Sequence, residues 1–481
     1  MADRLSIDAI GRDHLAGSAN VMTNPLRILA AEGSAWADRG LTPDVEHHAR
    51  RALIDWFASL LPGCLVPPAT LLAQALAADR GPGQAICYVD GTRSSLRHAA
   101  LINATASHSV EFDDIYRDAA YHPGCPTIGA ALAAAQAKGA SMDQLLRSIV
   151  AGYEVSCRIG VAVQPSHYRF WHTTGTVGTF GAAVAVGSIL GLEAGRMGHA
   201  IATAATMAGG LQQAFRSDGM SKPLHPGHAA DAGALAALAA EAGVTGALDV
   251  LEGPAGFAAA TSDSTGNWEK ALADIGRSVA ITQMTFKNHG CCGHIFASLD
   301  ALRDLRRENG FSPADIQAIH VAGYKATKDV CDRPVISTEQ EARFSVQYTV
   351  ANLLLHGGVR LAAFAPERLV DEAIRHEMAK VTVSVDAECE AAFPGRRSAH
   401  VTVTLTDGRK FHRYQPTRKG DPDAPLSDAE LGEKFAELVS PVIGTGGAAK
   451  LLDELWHGDT IPQDVALSSK ARQGATIPTA A

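Results

Sequence analysis

Between residues 45 and 60 the apolar side chains Val45, Ala49, Ala52, Leu53, Trp56 and Leu60 recur at helical spacing, which places them on one face of a helix. Thr42 supplies a cap, Pro43 suits the first helical position, Asp44 and Glu46 favour the positive end of the helix dipole, and Pro62-Gly63 ends the run. Ser141 with Gln144 predicts a capping box before a helix that carries Leu145, Ile149 and Tyr153. The segments 128–138, 178–190, 197–214 and 229–242 are so rich in Ala and Gly that little polar face remains. Helices of that kind are buried on all sides, so a helical core several layers thick is expected. Gly175, Gly178 and Gly181 share a three-residue spacing that permits close helix packing.

From about residue 278 the period changes. Residues 318–324 read as a strand, V-T-V-S-V at 381–385 alternates strictly, and so does A-H-V-T-V-T-L-T at 399–406. Asp407-Gly408 predicts a two-residue hairpin turn into R-K-F-H-R-Y-Q. One helix, Ser345 to Leu355, interrupts the strands, and helical period returns at 426–455 with Ser427 as its cap. The predicted fold is mainly α with an α+β second domain: a large all-helical domain (1–276), a smaller inserted α+β lid domain (277–415), a return to the helical domain (416–465) and a loose tail (466–481).

Composition narrows the function. A chain of 481 residues exceeds one ordinary core, and 46% hydrophobic with 19% charged residues is globular composition. The formal net charge of −9, with no basic block, argues against a nucleic-acid surface. No apolar run approaches the ~20 residues of a membrane span, and the N-terminal stretch has no apolar core of a signal peptide, so a cytoplasmic protein is expected. The 8 cysteines include no C-x-x-C and fit a reducing compartment. Only K-N-H-G-C-C-G-H clusters Cys291 and Cys292 with His289 and His294, and it lacks the paired spacing of a zinc knot, so no metal is expected. There is no Gly-rich dinucleotide loop, Walker loop or nucleophile elbow.

What remains is a set of polar islands inside apolar helical sequence. H-S-V-E-F-D-D-I-Y carries His108, Glu111, Asp113, Asp114 and Tyr116, and Y-H-P-G-C-P follows with His122. R-F-W-H-T-T-G-T holds His172 before a small-residue helix, and F-S-V-Q-Y-T places Tyr348 in the interrupting helix. G-M-S-K-P-L-H-P-G-H holds Lys222, His225 and His228 where Pro223 breaks one helix from the next. F-K-N-H presents Lys287 at the start of the second domain. Each island alone reads as a cap or a satisfied structural residue. Together they suggest a pocket of Lys, His and Tyr with a few acids, suited to a small polycarboxylate from which an α-proton is removed.

These islands, in this order and spacing, resemble the MmgE/PrpD family, which includes 2-methylcitrate dehydratases, cis-aconitate decarboxylases and iminodisuccinate epimerase. The resemblance spans roughly 25–460 and rests on His122 in Y-H-P-G, His172 six residues before Gly178, Lys222 and His225 in S-K-P-L-H, Lys287 in F-K and Tyr348 in S-V-Q-Y. It implies a homodimer through the helical domain, no organic cofactor or metal, and a site between the domains. His122, His172 and Lys222 are its candidate catalytic groups, and Glu111, Asp114, His225, Lys287 and Tyr348 its candidate substrate contacts. Closure of the lid is expected to bring Lys287 across the gap to Lys222. Two departures bear on the reaction. Where members read H-x-x-D-F-D-D-T this chain has Glu111 and Ile115, and the His common nine residues after the lid lysine is Phe296, with His294 two residues earlier. The implied activity is a cofactor-independent dehydratase; an epimerase, a decarboxylase and a non-catalytic carboxylate-binding protein are the alternatives.

Overall fold

Thr42 Oγ1 accepts from the Val45 amide, and the reciprocal bonds of Ser141 and Gln144 measure 3.2 and 2.9 Å, so helices start at the caps read from the sequence. The computed structural model describes residues 24–463 except 217 and 218, together with 465 and 467; the N-terminal 23 residues and nearly all of the expected tail lie outside them. The longer helices of the first unit are α1 (Pro25–Ala35), α2 (Pro43–Gly63), α3 (Leu96–His108), α4 (Gly124–Lys138), α5 (Met142–Val163), α6 (Thr173–Ile189), α7 (Ala194–Ala205) and α8 (Leu224–Glu241). A small hairpin, β1 (Ala85–Cys87) with β2 (Thr92–Ser94), packs beside them. No described helix is long and apolar enough to cross a membrane.

α6 is buried from Thr173 to Ser188, as its lack of a polar face requires. Close approach comes from glycine. A Cβ at Gly233 of α8 would meet the Thr179 carbonyl of α6 at 2.5 Å, and one at Gly152 of α5 would meet the Gly181 carbonyl at 2.6 Å. The segment 197–214 is not one helix. α7 stops at Ala205, Gly210 takes φ +139°, and Leu211 bridges Trp171 instead. A side chain at Gly175 would meet the Gly209 carbonyl at 2.4 Å, so this crossing needs glycine on α6. The break gives the His172 amide an acceptor, Gly210 O at 2.9 Å.

β3 (Ile115–Tyr116) and β4 (Met284–Thr285) form a short antiparallel pair. The second unit holds a four-stranded sheet of β5 (Ile316–Gly323), β6 (Val381–Val385), β7 (Ala399–Leu405) and β8 (Lys410–Gln415). Its order is β6-β5-β7-β8, with β5 and β6 parallel and the other pairs antiparallel. Its core joins the sheet to α9 (Phe296–Asn309) and α10 (Val346–His356). α11 (Asp428–Ile443) and α12 (Thr445–His457) then send Leu431, Phe435, Leu438 and Leu451 into the first core beside Leu53 and Phe57.

One expectation is corrected here. Met284 and Phe286 pack in the helical core, β4 pairs with β3, and the Phe286 amide donates to Gly420 O at 3.0 Å. Lys287 is therefore anchored to the helical side and is not delivered by a closing lid.

Candidate active site

Three helix starts meet at one cavity. His122 stands just before α4, His172 is the N-cap residue of α6, and Lys222 precedes Pro223 at the head of α8. None of the three caps makes a side-chain hydrogen bond to its helix, so the positive ends of three helix dipoles surround this space. The cavity, of about 170 Å³, lies between the helical unit and the second unit. It is smaller than the ~300–1,000 Å³ of pockets for drug-sized ligands, which leaves room for a small acid.

The loop 109–114 supplies the negative charge. Glu111 takes φ +59°, a left-handed backbone that costs a non-glycine residue about 1–2 kcal/mol. Its carboxylate pairs with Lys222 through Oε1 and lies 3.4 Å from Lys287 Nζ through Oε2. Asp113 Oδ1 is 3.2 Å from the same Lys287 Nζ. Burial pushes both carboxyls up, but their neighbours outweigh it: Lys222 and Lys287 hold Glu111 below the usual range, and His108, which also hydrogen-bonds to Asp113, together with Lys287 holds Asp113 far below it. Distant elements clamp this loop. Lys434 of α11, ion-paired with buried Asp55 of α2, donates to Phe112 O at 2.8 Å, and Arg343 donates to Val110 O at 2.9 Å.

Hydrogen bonds assign the imidazole protons. His122 Nδ1 lies 2.9 Å from Asp113 Oδ2 and 2.8 Å from Asp114 O, both acceptors, so Nδ1 carries the proton and Nε2 is free to take one. His172 Nδ1 is 2.9 Å from His225 Nδ1, and one of the two must donate. When His225 accepts, His172 also presents an unprotonated Nε2. Burial pushes His122 down to about 4 and His172 well below its ordinary value, with His108 and Lys222 adding to the second shift. Both rings are neutral at pH 7 and suited to act as bases. Phe215, from the chain beyond the α7 break, packs edge-on against His172 at 4.5 Å between centroids.

The opposite wall has a different character. It carries Cys292, His294, Phe393 and Arg397 of the second unit, with Arg418 beside them. Arg418 is fully engaged by Asp421 and by Gly293 O at 3.0 Å. His294 Nδ1 is 2.7 Å from the Tyr324 hydroxyl, and burial with Arg397 nearby pushes it down to about 3. Its imidazole reaches the cavity although Phe296 is buried in the second core. Cys292 is lowered by a hydrogen bond to Cys331.

Of the candidates named from the sequence, His122, His172, Lys222, Glu111 and Lys287 line the cavity together. Three do not. Tyr348 is buried in the second core and donates its hydroxyl to Ala363 O at 2.6 Å, so it is no substrate contact here. Asp114 accepts from the Gly124 amide and the Tyr153 hydroxyl below the cavity floor, and burial with Asp55 nearby pushes it up to about 8. His225 backs His172. Sequence reasoning missed Arg397, Arg418, Tyr168 and Gln164, all of which line the cavity. Only the Pro-Gly-Arg-Arg run before β7 hinted at Arg397. The group weighed for zinc is dispersed: Cys291 is buried in the second core and His289 faces Asp300. Among the described residues the ligand atoms that cluster belong to His108, Asp113 and Cys125, and to Asp386, Cys389 and His400. In the first trio Asp113 is already committed to His108, His122 and Lys287.

Comparison with known proteins shows the family. The model of the MmgE/PrpD N-terminal domain matches residues 37–269, and that of the MmgE/PrpD C-terminal domain matches residues 289–457. The chain belongs to the MmgE/PrpD family. Its similar relatives include the cis-aconitate decarboxylase-like protein oryM of Aspergillus oryzae, 28% identical over 83% of this chain and 87% of that protein. The cis-aconitate decarboxylase of Homo sapiens is 29% identical over 72% of this chain and 73% of its own length. That of Mus musculus is 26% identical over 72% of each.

Proposed function

We propose that this MmgE/PrpD protein is a lyase that moves a proton at a carbon beside a carboxylate of a small di- or tricarboxylate and then expels water. The observation that carries the reading is the pair of buried, neutral imidazoles, His122 and His172, facing one cavity with Lys222. His172 Nε2 takes the α-proton, the released electron pair forms a carbon–carbon double bond, and the bond to a neighbouring hydroxyl breaks. The departing oxygen takes a proton from Lys222, which Glu111 holds in place.

Decarboxylation is the second reading. The relatives' names point to it, and so does the apolar lining of Ile115, Phe215, Phe344 and Phe393, which would desolvate a leaving carboxylate. Ile115 stands where the family resemblance has a hydroxyl, so the substrate need not be cis-aconitate.

The deciding experiment is incubation with citrate, 2-methylcitrate and cis-aconitate in heavy water, followed by NMR. A new unsaturated acid supports dehydration, carbon dioxide release supports decarboxylation, and deuterium uptake alone points to epimerisation. Binding without any of these would make the chain a carboxylate-binding protein and sink the enzymatic reading. We further infer a homodimer. Phe170, Leu211 and Met220 are 58%, 57% and 57% exposed on the segments that carry His172 and Lys222, and a second copy would cover them.

A further inference from the structure

The charges around the cavity do not balance evenly. On the helical wall Lys222 and Lys287 face Glu111 and Asp113. At the far wall Arg418 is spent on Asp421, whose Oδ1 also accepts from Thr285 at 2.6 Å. Arg117 is paired with Asp423 at 2.8 Å and lies beside Asp118. Arg397 has no acid. It is 5% exposed, and its Nε and Nη1 have no hydrogen-bond partner among the described residues. Only Nη2 reaches an acceptor, Arg117 O at 3.5 Å, and the guanidinium stands 5.8 Å from the Phe393 ring. The other titratable groups around it are Arg418, Tyr324, Asp421, Tyr168 and His294, and the one acid among them, Asp421, is already paired with Arg418.

A buried guanidinium with two idle N–H groups is costly to keep unless something completes it. Its planar fork matches a carboxylate in two-point contact.

We propose that Arg397 is the residue that selects the substrate, gripping a carboxylate remote from the reacting carbon. This rests on the lyase reading above and deepens it. One carboxylate, next to the reacting carbon, lies toward Lys222, and a second, on another carbon, meets Arg397 from the second unit. The substrate is then at least a dicarboxylate, and a monocarboxylate cannot engage both walls.

The test uses tricarballylate, an unreactive tricarboxylate, titrated calorimetrically into the full chain and into Arg397→Met and Arg397→Lys. Expected are binding by the wild type, a loss of about 30-fold or more in Arg397→Met, and partial recovery in Arg397→Lys. The unliganded Arg397→Met protein is expected to melt no lower than the wild type, because it loses an unpaired buried charge. Three results would overturn the proposal: no wild-type binding, equal binding by wild type and Arg397→Met, or a large fall in the melting temperature of Arg397→Met. The last would make Arg397 a packing residue. Failure of the two ideas is distinguishable. Arg397-dependent binding without proton exchange from any substrate sinks the lyase and keeps the anchor, whereas turnover with a KM indifferent to Arg397→Met sinks the anchor alone.

Discussion

On the helical wall of the cavity every cation has an acid beside it, while on the α+β wall Arg397 has none. The helical wall also holds both neutral imidazoles: acceptors fix the proton of His122 on Nδ1, and His172 shares one with His225. Under the proposed function, the contrast assigns proton movement to one wall and the holding of charge to the other. Burial alone does not separate them, since Lys222 and Arg397 are each 5% exposed. What differs is whether the protein itself supplies the counter-ion.

The contrast can be broken most directly at His172. His172→Ala is expected to lower kcat/KM by about 10²–10⁴-fold with little change in melting temperature, the range of a lost general base. A loss under tenfold, measured in the NMR assay with any accepted substrate, would remove the proton-moving role from this wall. The acid limb of the rate profile is expected below pH 6.5, because burial lowers His172 from its ordinary value.

Lys222→Met comes next. Activity is expected to fall about 10²-fold. Stability is expected to fall by up to about 3 kcal/mol, the low end for stripping one partner from a buried pair, since Lys287 still faces Glu111. Adding Glu111→Gln is expected to restore the melting temperature and not the activity. Recovery of both would mean that Lys222 only balances Glu111.

A smaller effect sharpens the picture below the cavity floor. Asp114 keeps its proton up to about pH 8 in the folded chain and loses it near 3.9 when unfolded, so the folded state binds more protons and stability falls as pH rises between those values. His122, lowered to about 4, acts in the opposite sense between pH 4 and 6.5, where stability rises with pH. From pH 6.5 to 8 only the Asp114 contribution of these two remains. A loss of about 2 kcal/mol across that window is expected in the wild type and absent in Asp114→Asn, read from denaturant unfolding. An unchanged slope in the variant would show Asp114 to be ionised.

Tyr348→Phe is the mildest test. It removes one buried hydrogen bond, to Ala363 O, and is expected to cost about 1 kcal/mol with kcat/KM unchanged. A drop in activity at unchanged stability would return Tyr348 to the site.

Much of this was legible in the sequence because it is local. The Thr42 cap and the Ser141–Gln144 box depend on residues within four positions of each other. The Asp407-Gly408 hairpin was placed correctly, but Leu405 opposes Arg409, so its loop is the three residues 406–408 and not two, with Gly408 at φ +86°. The Lys222 break was readable because Pro223 cannot extend a helix from before it. The rest depends on partners far along the chain. A two-residue strand such as β4 has no period to read, so the pairing of Thr285 with Ile115, two residues ahead of Lys287, was hidden. Tyr348 looked functional because its acceptor, Ala363, is reached only through the second core. Arg397 could not be singled out, since an unpaired arginine is defined by what fails to surround it.

The glycine contacts between α6 and α8 carry one more consequence. With Gly233 set against the Thr179 carbonyl, the two backbones touch and have no cushion of side chains to absorb strain. α8 behaves as a rod: a methyl group added at Gly233 lifts it from α6, and Lys222 and His225 ride on its front end about 14 Å away. Catalytic distances in this chain can therefore be detuned from the back of the bundle, by changes that touch neither substrate nor any charged group.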